Sequence, residues 1–455
     1  MKDLTTHSLG AHIVRMAVPI AAGMIFQTLY FIVDLYFVSR LGAAALAGVS
    51  AAGNVMFIVF ALTQILGVGT VALVSHAAGR KDRADAILLF NQSLSLALAL
   101  AVLTLAAGYP SAGPYMRALG ADSATVAAGV TYLYWFVPSL ALQFALVAMS
   151  SALRATGIVQ PAMLVQVLTV VLNAVLAPVL IAGWGTGLPL GVAGAGLAST
   201  LSVMAGVVLL ALYWRRSETF VAFDLRDGWP RASVWRRLLR VGLPAGGEFA
   251  LMFVFMGVMY VIIRRFGPDA QAGFGIGMRI VQSLFLPAMA VAFAAAPIVG
   301  QNYAAGQPLR VRRTFKIAMT ASTVIMAMLT AVCQWRAPWL IRGFSADATT
   351  LAVGSQFLRV VSWNFVASGC VFTCSAVFQG LGNTVPAVQS SASRIVSFVV
   401  PALVLAGRPD FRLVELWYAS VASMTLQALV SLWLVRREFR RRLPAREHGA
   451  ALGAA

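Results

Sequence analysis

Residues 15–48 read RMAVPIAAGMIFQTLYFIVDLYFVSRLGAAALAG, and residues 240–273 read RVGLPAGGEFALMFVFMGVMYVIIRRFGPDAQAG. Arg15, Pro19, Arg40, Gly42, Ala47 and Gly48 recur in order as Arg240, Pro244, Arg265, Gly267, Ala272 and Gly273, each 225 residues further on. Gly157 with Pro161 returns as Gly382 with Pro386, and Ala78-Gly79 returns as Ala305-Gly306. Almost everything between these markers is apolar. A duplicated, membrane-embedded chain is the architecture in which one half rocks against the other around a central cavity.

The 455-residue chain is 60% hydrophobic and 11% charged, where a soluble domain carries roughly 25% charge to cover its surface. A bilayer must therefore serve as its solvent. Apolar runs long enough to cross about 30 Å of hydrocarbon fall at 13–38, 47–73, 87–109, 124–150, 159–182 and 190–213. They fall again at 240–264, 272–298, 314–333, 350–376, 385–406 and 415–435. The expected fold is an all-α integral membrane protein of twelve transmembrane helices in two pseudo-symmetric six-helix lobes. The N-lobe covers 1–222 and the C-lobe 223–455, with a polar linker at about 214–239 that includes a short interfacial helix at Trp235-Arg236-Arg237. An even number of spans per copy gives both copies the same orientation.

The net charge of +19 is distributed by side. Arg80, Lys81 and Arg83 follow span 2; Arg215, Arg216, Arg226, Arg231, Arg236 and Arg237 follow span 6; Arg310, Arg312 and Arg313 follow span 8; Arg436 to Arg442 end the chain. These gaps share one face. By the positive-inside rule that face is cytoplasmic, with both termini on it, in a multi-pass protein of the cell inner membrane. The same placement argues against a nucleic-acid partner, which wants basic residues interleaved with stacking aromatics on a soluble module. The spans hold no Ser/His/Asp set, His-Glu-x-x-His or paired aspartates, and no Walker pattern occurs, so neither an enzyme nor an attached ATPase is expected. Cys333, Cys370 and Cys374 read as buried small hydrophobes, not as metal ligands.

Of the 15 acidic residues, two lie well inside apolar register: Asp34 and Glu248. An intramembrane carboxylate is costly unless protonated, paired or hydrated, which makes it a candidate for function. Pro19, Gly23, Gln27, Tyr30 and Asp34 follow one another by 4, 4, 3 and 4 residues, one stripe of a helix. A carboxylate on that stripe suits uptake and release of a proton, or Na⁺ binding when ionised. The alternative is a structural carboxylate bonded to a neighbouring Tyr or Asn. Glu248 occupies the place of Gly23 in the second copy, and Met259 that of Asp34, so the halves are asymmetric. Glu248 is open to three roles: contact with a cationic substrate, a second coupling site, or an ion pair with Arg279 or Arg394. Asn173, Ser199 and Thr200 can add oxygens near Asp34. Gln27, Tyr30, Glu248, Met252 and Met259 are candidate cavity-lining residues, and Pro19 a candidate hinge.

These residues resemble a family. Pro19 to Ser50, with Asp34-Leu35-Tyr36-Phe37-Val38-Ser39-Arg40-Leu41-Gly42, is similar to the opening motif of the multidrug and toxic-compound extrusion (MATE) transporters. So are Ala78-Gly79-Arg80, Leu153-Arg154-Ala155-Thr156-Gly157 and Gly191-Val192-Ala193-Gly194-Ala195-Gly196. In the second half the matching stretches are Gly242-Leu243-Pro244, Gly275 to Ile280, Val299-Gly300-Gln301-Asn302 and Gln379 to Thr384. The resemblance implies export of amphipathic, often cationic compounds by H⁺ or Na⁺ antiport, with no cofactor beyond the coupling ion. It makes Asp34 the coupling acid, Pro19 the kinking proline, Gln27 a cavity residue and Asn173 a polar partner. Some members carry a second acid where this chain has Ala177, which favours the proton here. Others place acids where this chain has Met252 and along 350–376, which argues against a C-lobe Na⁺ site. Two lobes already form a complete cavity, so a monomer is expected. A lipid-linked oligosaccharide flippase of related architecture is the alternative.

Overall fold

In a computed structural model the chain is described over residues 2–119, 122–217, 220–344 and 347–443, excepting the side chains of 30–32, 34, 35 and 225. Among the described residues all extended regular structure is α-helical. The first copy comprises α1 (Leu9–Ser39), α2 (Ala43–Gly53), α3 (Val55–Gly79), α4 (Arg83–Leu119), α5 (Ser123–Ala155), α6 (Gln160–Ala182) and α7 (Val192–Arg216). The second comprises α8 (Ala232–Ile263), α9 (Pro268–Ala304), α10 (Pro308–Arg342), α11 (Ala348–Val361), α12 (Asn364–Gly380), α13 (Val385–Ala406) and α14 (Leu413–Arg442). Among the described residues eleven helical spans are long and apolar enough to cross a membrane, with α2 and α3 taken together, or twelve when α11 and α12 are taken as one bent span.

The 225-residue interval governs the helix ends as well as the sequence markers. Left-handed backbone occurs at Gly42 and Gly267 (φ 108° and 90°), and at Gly157 and Gly382 (φ 77° and 70°). It also occurs at Lys81 and Gly306 (φ 59° and 69°), which corrects the sequence alignment of Ala78-Gly79 with Ala305-Gly306. The conserved interval equates the left-handed residue that ends α3 with the one that ends α9. The first copy places a lysine where the second has glycine.

Two expected features come out differently. The run 350–376 is not one straight span: α11 and α12 meet at 55° across Ser362-Trp363. No proline causes the break. Side chains of α10 take up the freed groups instead, with Thr330 Oγ1 donating to the Ser362 carbonyl at 2.9 Å and Gln334 Nε2 to Ser362 Oγ at 2.9 Å. Irregular backbone at such depth persists where neighbours satisfy it. The separate interfacial helix is absent too. Trp235-Arg236-Arg237 forms the opening turns of α8, and Trp235 packs on the core of the first copy, so the linker shortens to 217–231.

The chain divides into two compact units, Met1–Asp3 with Arg15–Ala250, and Leu4–Val14 with Leu251–Ala455. In this division the break on α8 falls after Ala250. The reason is packing inside the first unit. A Cβ on Gly242 would lie 2.0 Å from the Ile65 carbonyl oxygen, and one on Gly69 2.6 Å from that of Leu238. Glycines thus let α3 and the first half of α8 meet backbone to backbone. The linker is held to the same unit by two neighbouring buried amides of α4. Asn91 Nδ2 donates to the Ala222 carbonyl at 2.9 Å, and Gln92 Nε2 donates to those of Asp227 and Trp229 at 2.6 Å each.

The second unit holds the N-terminal leader in the same manner. The Leu4 amide donates to Gln301 Oε1 at 3.0 Å, and Asn302 Nδ2 donates to the Leu4 carbonyl at 3.0 Å. Leu4 and Trp229 are 225 residues apart, so each copy's leader into its first helix is clasped by side-chain amides of a long helix. In the same unit Glu438, near the end of α14, is buried. It accepts from Arg442 Nε at 2.9 Å and from Asn383 Nδ2 at 3.1 Å, tying the Gly-rich turn after α12 to α14.

Candidate functional site

On α6 the outward face is apolar and exposed at Leu164, Leu168, Val171 and Val175. The opposite face buries Val165, Thr169, Val170, Asn173 and Ala177. Asn173 is fully buried, and among the described residues neither its amide nitrogen nor its oxygen has a hydrogen-bond partner. A buried amide normally satisfies both atoms, since leaving one unpaired costs about 1–3 kcal/mol.

The neighbouring helix adds a second such group. A Cβ on Gly194 of α7 would lie 2.4 Å from the Leu180 carbonyl, and one on Gly206 would lie 2.7 Å from Thr169 Oγ1. These two contacts fix an antiparallel register that brings Ser202 level with Asn173. Ser202 is fully buried and its hydroxyl has no partner among the described residues. The sequence reading missed Ser202; its spacing of three from Ser199, one turn along the same helix, was the available signal.

The striped helix α1 turns toward this layer. The position of a Cβ on Gly23 is 3.9 Å from Gln166 Cγ on α6. Spans 1 and 5 run in the same direction, so counting equally along both helices from this contact pairs position 30 with Asn173 and position 34 with Ala177. The side chains of Tyr30 and Asp34 lie outside the described residues. Pro19 is within α1, one turn before Gly23, and Gln27 is half-buried one turn after it.

The other expected residues separate. Ser199 is buried on α7 and its hydroxyl donates to the Ala195 carbonyl at 3.2 Å. Thr200 donates to the Trp135 carbonyl of α5 at 2.5 Å, away from α6. Glu248 is half-buried on the part of α8 that belongs to the first unit, beside Phe249, whose ring meets Phe60 edge-on at 5.3 Å. A Glu248–Arg394 pair is not formed: among the described residues Arg394 makes no ion pair. Met252 is exposed. Met259 is 2% exposed within the core of the second unit, packed among aromatic and branched residues, so it lines no open surface.

The second unit repeats the seam between α1 and α6 as a seam between α8 and α13, with its chemistry changed. Phe255 stands for Tyr30, Met259 for Asp34 and Phe398 for Asn173. The Phe255 and Phe398 rings lie 4.6 Å apart. The Arg394 guanidinium lies 4.0 Å above the centre of the Phe255 ring. A separate open cavity of about 680 Å³ in this unit is lined by Arg342, Gln356, Arg359, Tyr418 and apolar neighbours, and holds none of the sequence-derived site residues.

The family model MatE matches the chain twice, at residues 19–179 and 244–404, two stretches offset by the same interval as the repeat. An FAD transporter of Shewanella oneidensis is 24% identical over 417 residues, covering 90% of this chain and 91% of that protein. The multidrug export protein MepA of Staphylococcus aureus is 23% identical over 431 residues, covering 92% of each. Among solved structures, the outward-facing conformation of a multidrug resistance MATE transporter of the MOP superfamily superposes with a TM-score of 0.90. It is 26% identical, with 97% of this chain and 98% of that one covered. Twofold family match, full-length relatives and shared helical fold agree: the chain belongs to the multidrug and toxic-compound extrusion family of multi-pass membrane transporters.

Proposed function

We propose that this protein exports amphipathic, often cationic small molecules by antiport against protons, with the layer of Asp34, Asn173 and Ser202 as the coupling site. The observation that carries the reading is the unpartnered pair on α6 and α7. Two polar groups with no partner among the described residues, on helices of the unit whose first helix bears an acid, are available to donate or accept a hydrogen bond as that acid changes its charge. A proton on Asp34 changes which hydrogen bonds the layer can make: a carboxylate only accepts, whereas a carboxylic acid donates once. That difference biases two states of the protein through differential binding. Ala177, fully buried one turn after Asn173, supplies no oxygen. A layer so poor in oxygens favours H⁺ over Na⁺.

The relatives support small-molecule export, one named for multidrug export and one for FAD transport. The arginine-rich face is the cytoplasmic one, with both termini on it, in the inner membrane. The protein acts as a monomer. Bending of α1 near Pro19 carries the change at Asp34 to the rest of the unit.

The test is purified protein in proteoliposomes, with a pH gradient and a Na⁺ gradient imposed separately. Proton-driven efflux of a cationic dye is expected in the wild type, and its collapse in Asp34→Asn at equal protein level. Wild-type efflux in Asp34→Asn would remove Asp34 from the coupling role. Efflux driven by Na⁺ alone would replace the ion.

A further inference from the structure

Arg394 sits in the middle of α13, nine residues after its start and twelve before its end. At about 1.5 Å per residue its Cα is more than 13 Å from either end of the helix, too deep for the side chain to snorkel to water. It does not face lipid. The exposed residues Val396, Val400, Leu403 and Val404 mark the outer face of α13. With about 3.6 residues per turn, Arg394 lies roughly 150° around the helix from that face. It shares the inner face with Phe398, which is fully buried.

Its charge is only partly compensated. Phe255 supports one face of the guanidinium plane, a cation–π contact. That contact leaves the five in-plane N–H donors unused. Nε is buried with no acceptor. The two terminal nitrogens are not sealed off, and among the described residues none of the three has a hydrogen-bond or carboxylate partner. An arginine held flat on a ring, with its donor edge free, is the arrangement that accepts a planar or tetrahedral oxyanion bidentately. The corresponding seam of the first copy has Thr169 in this place, so the cation is specific to the second unit.

We propose that Arg394, laid on Phe255, is a substrate subsite that takes the oxyanion group of an amphipathic aromatic molecule, giving the second unit a preference for anionic cargo. The proposal rests on the reading of this protein as an exporter of amphipathic small molecules and adds the charge class that this unit selects. The free arginine edge suits its carboxylate, sulfonate or phosphate.

The experiment is equilibrium binding of two probes of one shape and opposite charge to purified protein in nanodiscs. The probes are 1-naphthalenesulfonate and 1-naphthyltrimethylammonium. Arg394→Gln is expected to weaken the sulfonate by about tenfold or more, as loss of a charge-assisted pair requires, and to change the ammonium by less than about twofold. Phe255→Leu, which frees the guanidinium from its support, is expected to weaken the sulfonate selectively as well. If Arg394→Gln does not fold, Arg394→Lys keeps the charge but loses the bidentate edge, and a selective loss of about threefold or more is expected. Unchanged sulfonate affinity in the folded variants, or equal losses of both probes, overturns the proposal. No gradient is applied, so failure of proton-driven export leaves this result standing, and failure here leaves the coupling reading standing.

Discussion

Asp122 accepts the backbone amide of Thr125 at 2.8 Å, and 225 residues later Asp347 accepts that of Thr350 at 2.7 Å. Each aspartate is the N-cap of its helix, α5 and α11. The interval that repeats the fold therefore repeats a cap down to the hydrogen bond, at a helix that is continuous in the first copy and broken in the second. Backbone and side-chain hydrogen bonds from the threonine hold each carboxyl below its usual value. A carboxyl lowered by folding stabilises above its unfolded pKa, and that contribution disappears as the pH falls through the folded value. Protection of the first-turn amides of α5 and α11 against hydrogen exchange, corrected for intrinsic rate, should be flat near neutrality and fall below about pH 4. Asp122→Ala and Asp347→Ala should start lower at neutral pH and show no acid-dependent loss at their own helix. Variants that keep the wild-type acid profile would show that the caps do not set it.

Asn173 offers a separation of stability from function. Its two amide atoms have no partners among the described residues, so Asn173→Leu removes an unsatisfied group without breaking a bond described there. The variant is expected to match or exceed the wild-type melting temperature, with a gain of up to about 1–3 kcal/mol if the amide is left dry in the wild type. Proton-driven efflux should nevertheless fall by about tenfold or more, as removal of a coupling-layer ligand requires. A clear drop in melting temperature, measured in the same detergent, would make Asn173 a structural residue and withdraw it from the site.

The parts of this molecule that were legible in the sequence are those for which the bilayer acts as reader. Every long apolar run became helix, because lipid leaves the backbone no other way to satisfy itself across a span. The repeat was legible where it needs a special backbone, at Gly42, Gly157 and their partners, and misread where Lys81 takes the left-handed place that glycine holds at 306. The bend at Ser362-Trp363 carries no proline or glycine, since its cause is on α10, at Thr330 and Gln334. Asn173 stood out because an amide is rare in such a run, whereas Ser202 did not, because serine usually bonds its own helix. Asn91 and Gln92 carried no sequence signal, because the linker they clasp lies more than 130 residues further on. Arg394 was visible as a deep charge, but its unpaired edge depends on what three helices do not supply.

The boundary between the two units yields the remaining prediction. Gly242 and Gly246 lie one turn apart on α8, and a Cβ at each would come within 2.0 Å and 2.3 Å of Ile65. The atom met at Gly242 is a backbone carbonyl, which cannot move aside, while at Gly246 it is the Cγ1 of a side chain, which can. Gly242→Ala must therefore push α8 off α3, at a cost of about 1–3 kcal/mol, whereas Gly246→Ala should cost less because Ile65 has other rotamers. Gly257→Ala, farther along the same helix, meets nothing within 4 Å and should be neutral or stabilising by up to about 1 kcal/mol from helix propensity. Melting temperatures of the three variants in one detergent give the order Gly257→Ala, Gly246→Ala, Gly242→Ala from most to least stable. If Gly242→Ala melts with the wild type, α8 does not meet α3 backbone to backbone, and the assignment of residues 232–250 to the first unit fails with it.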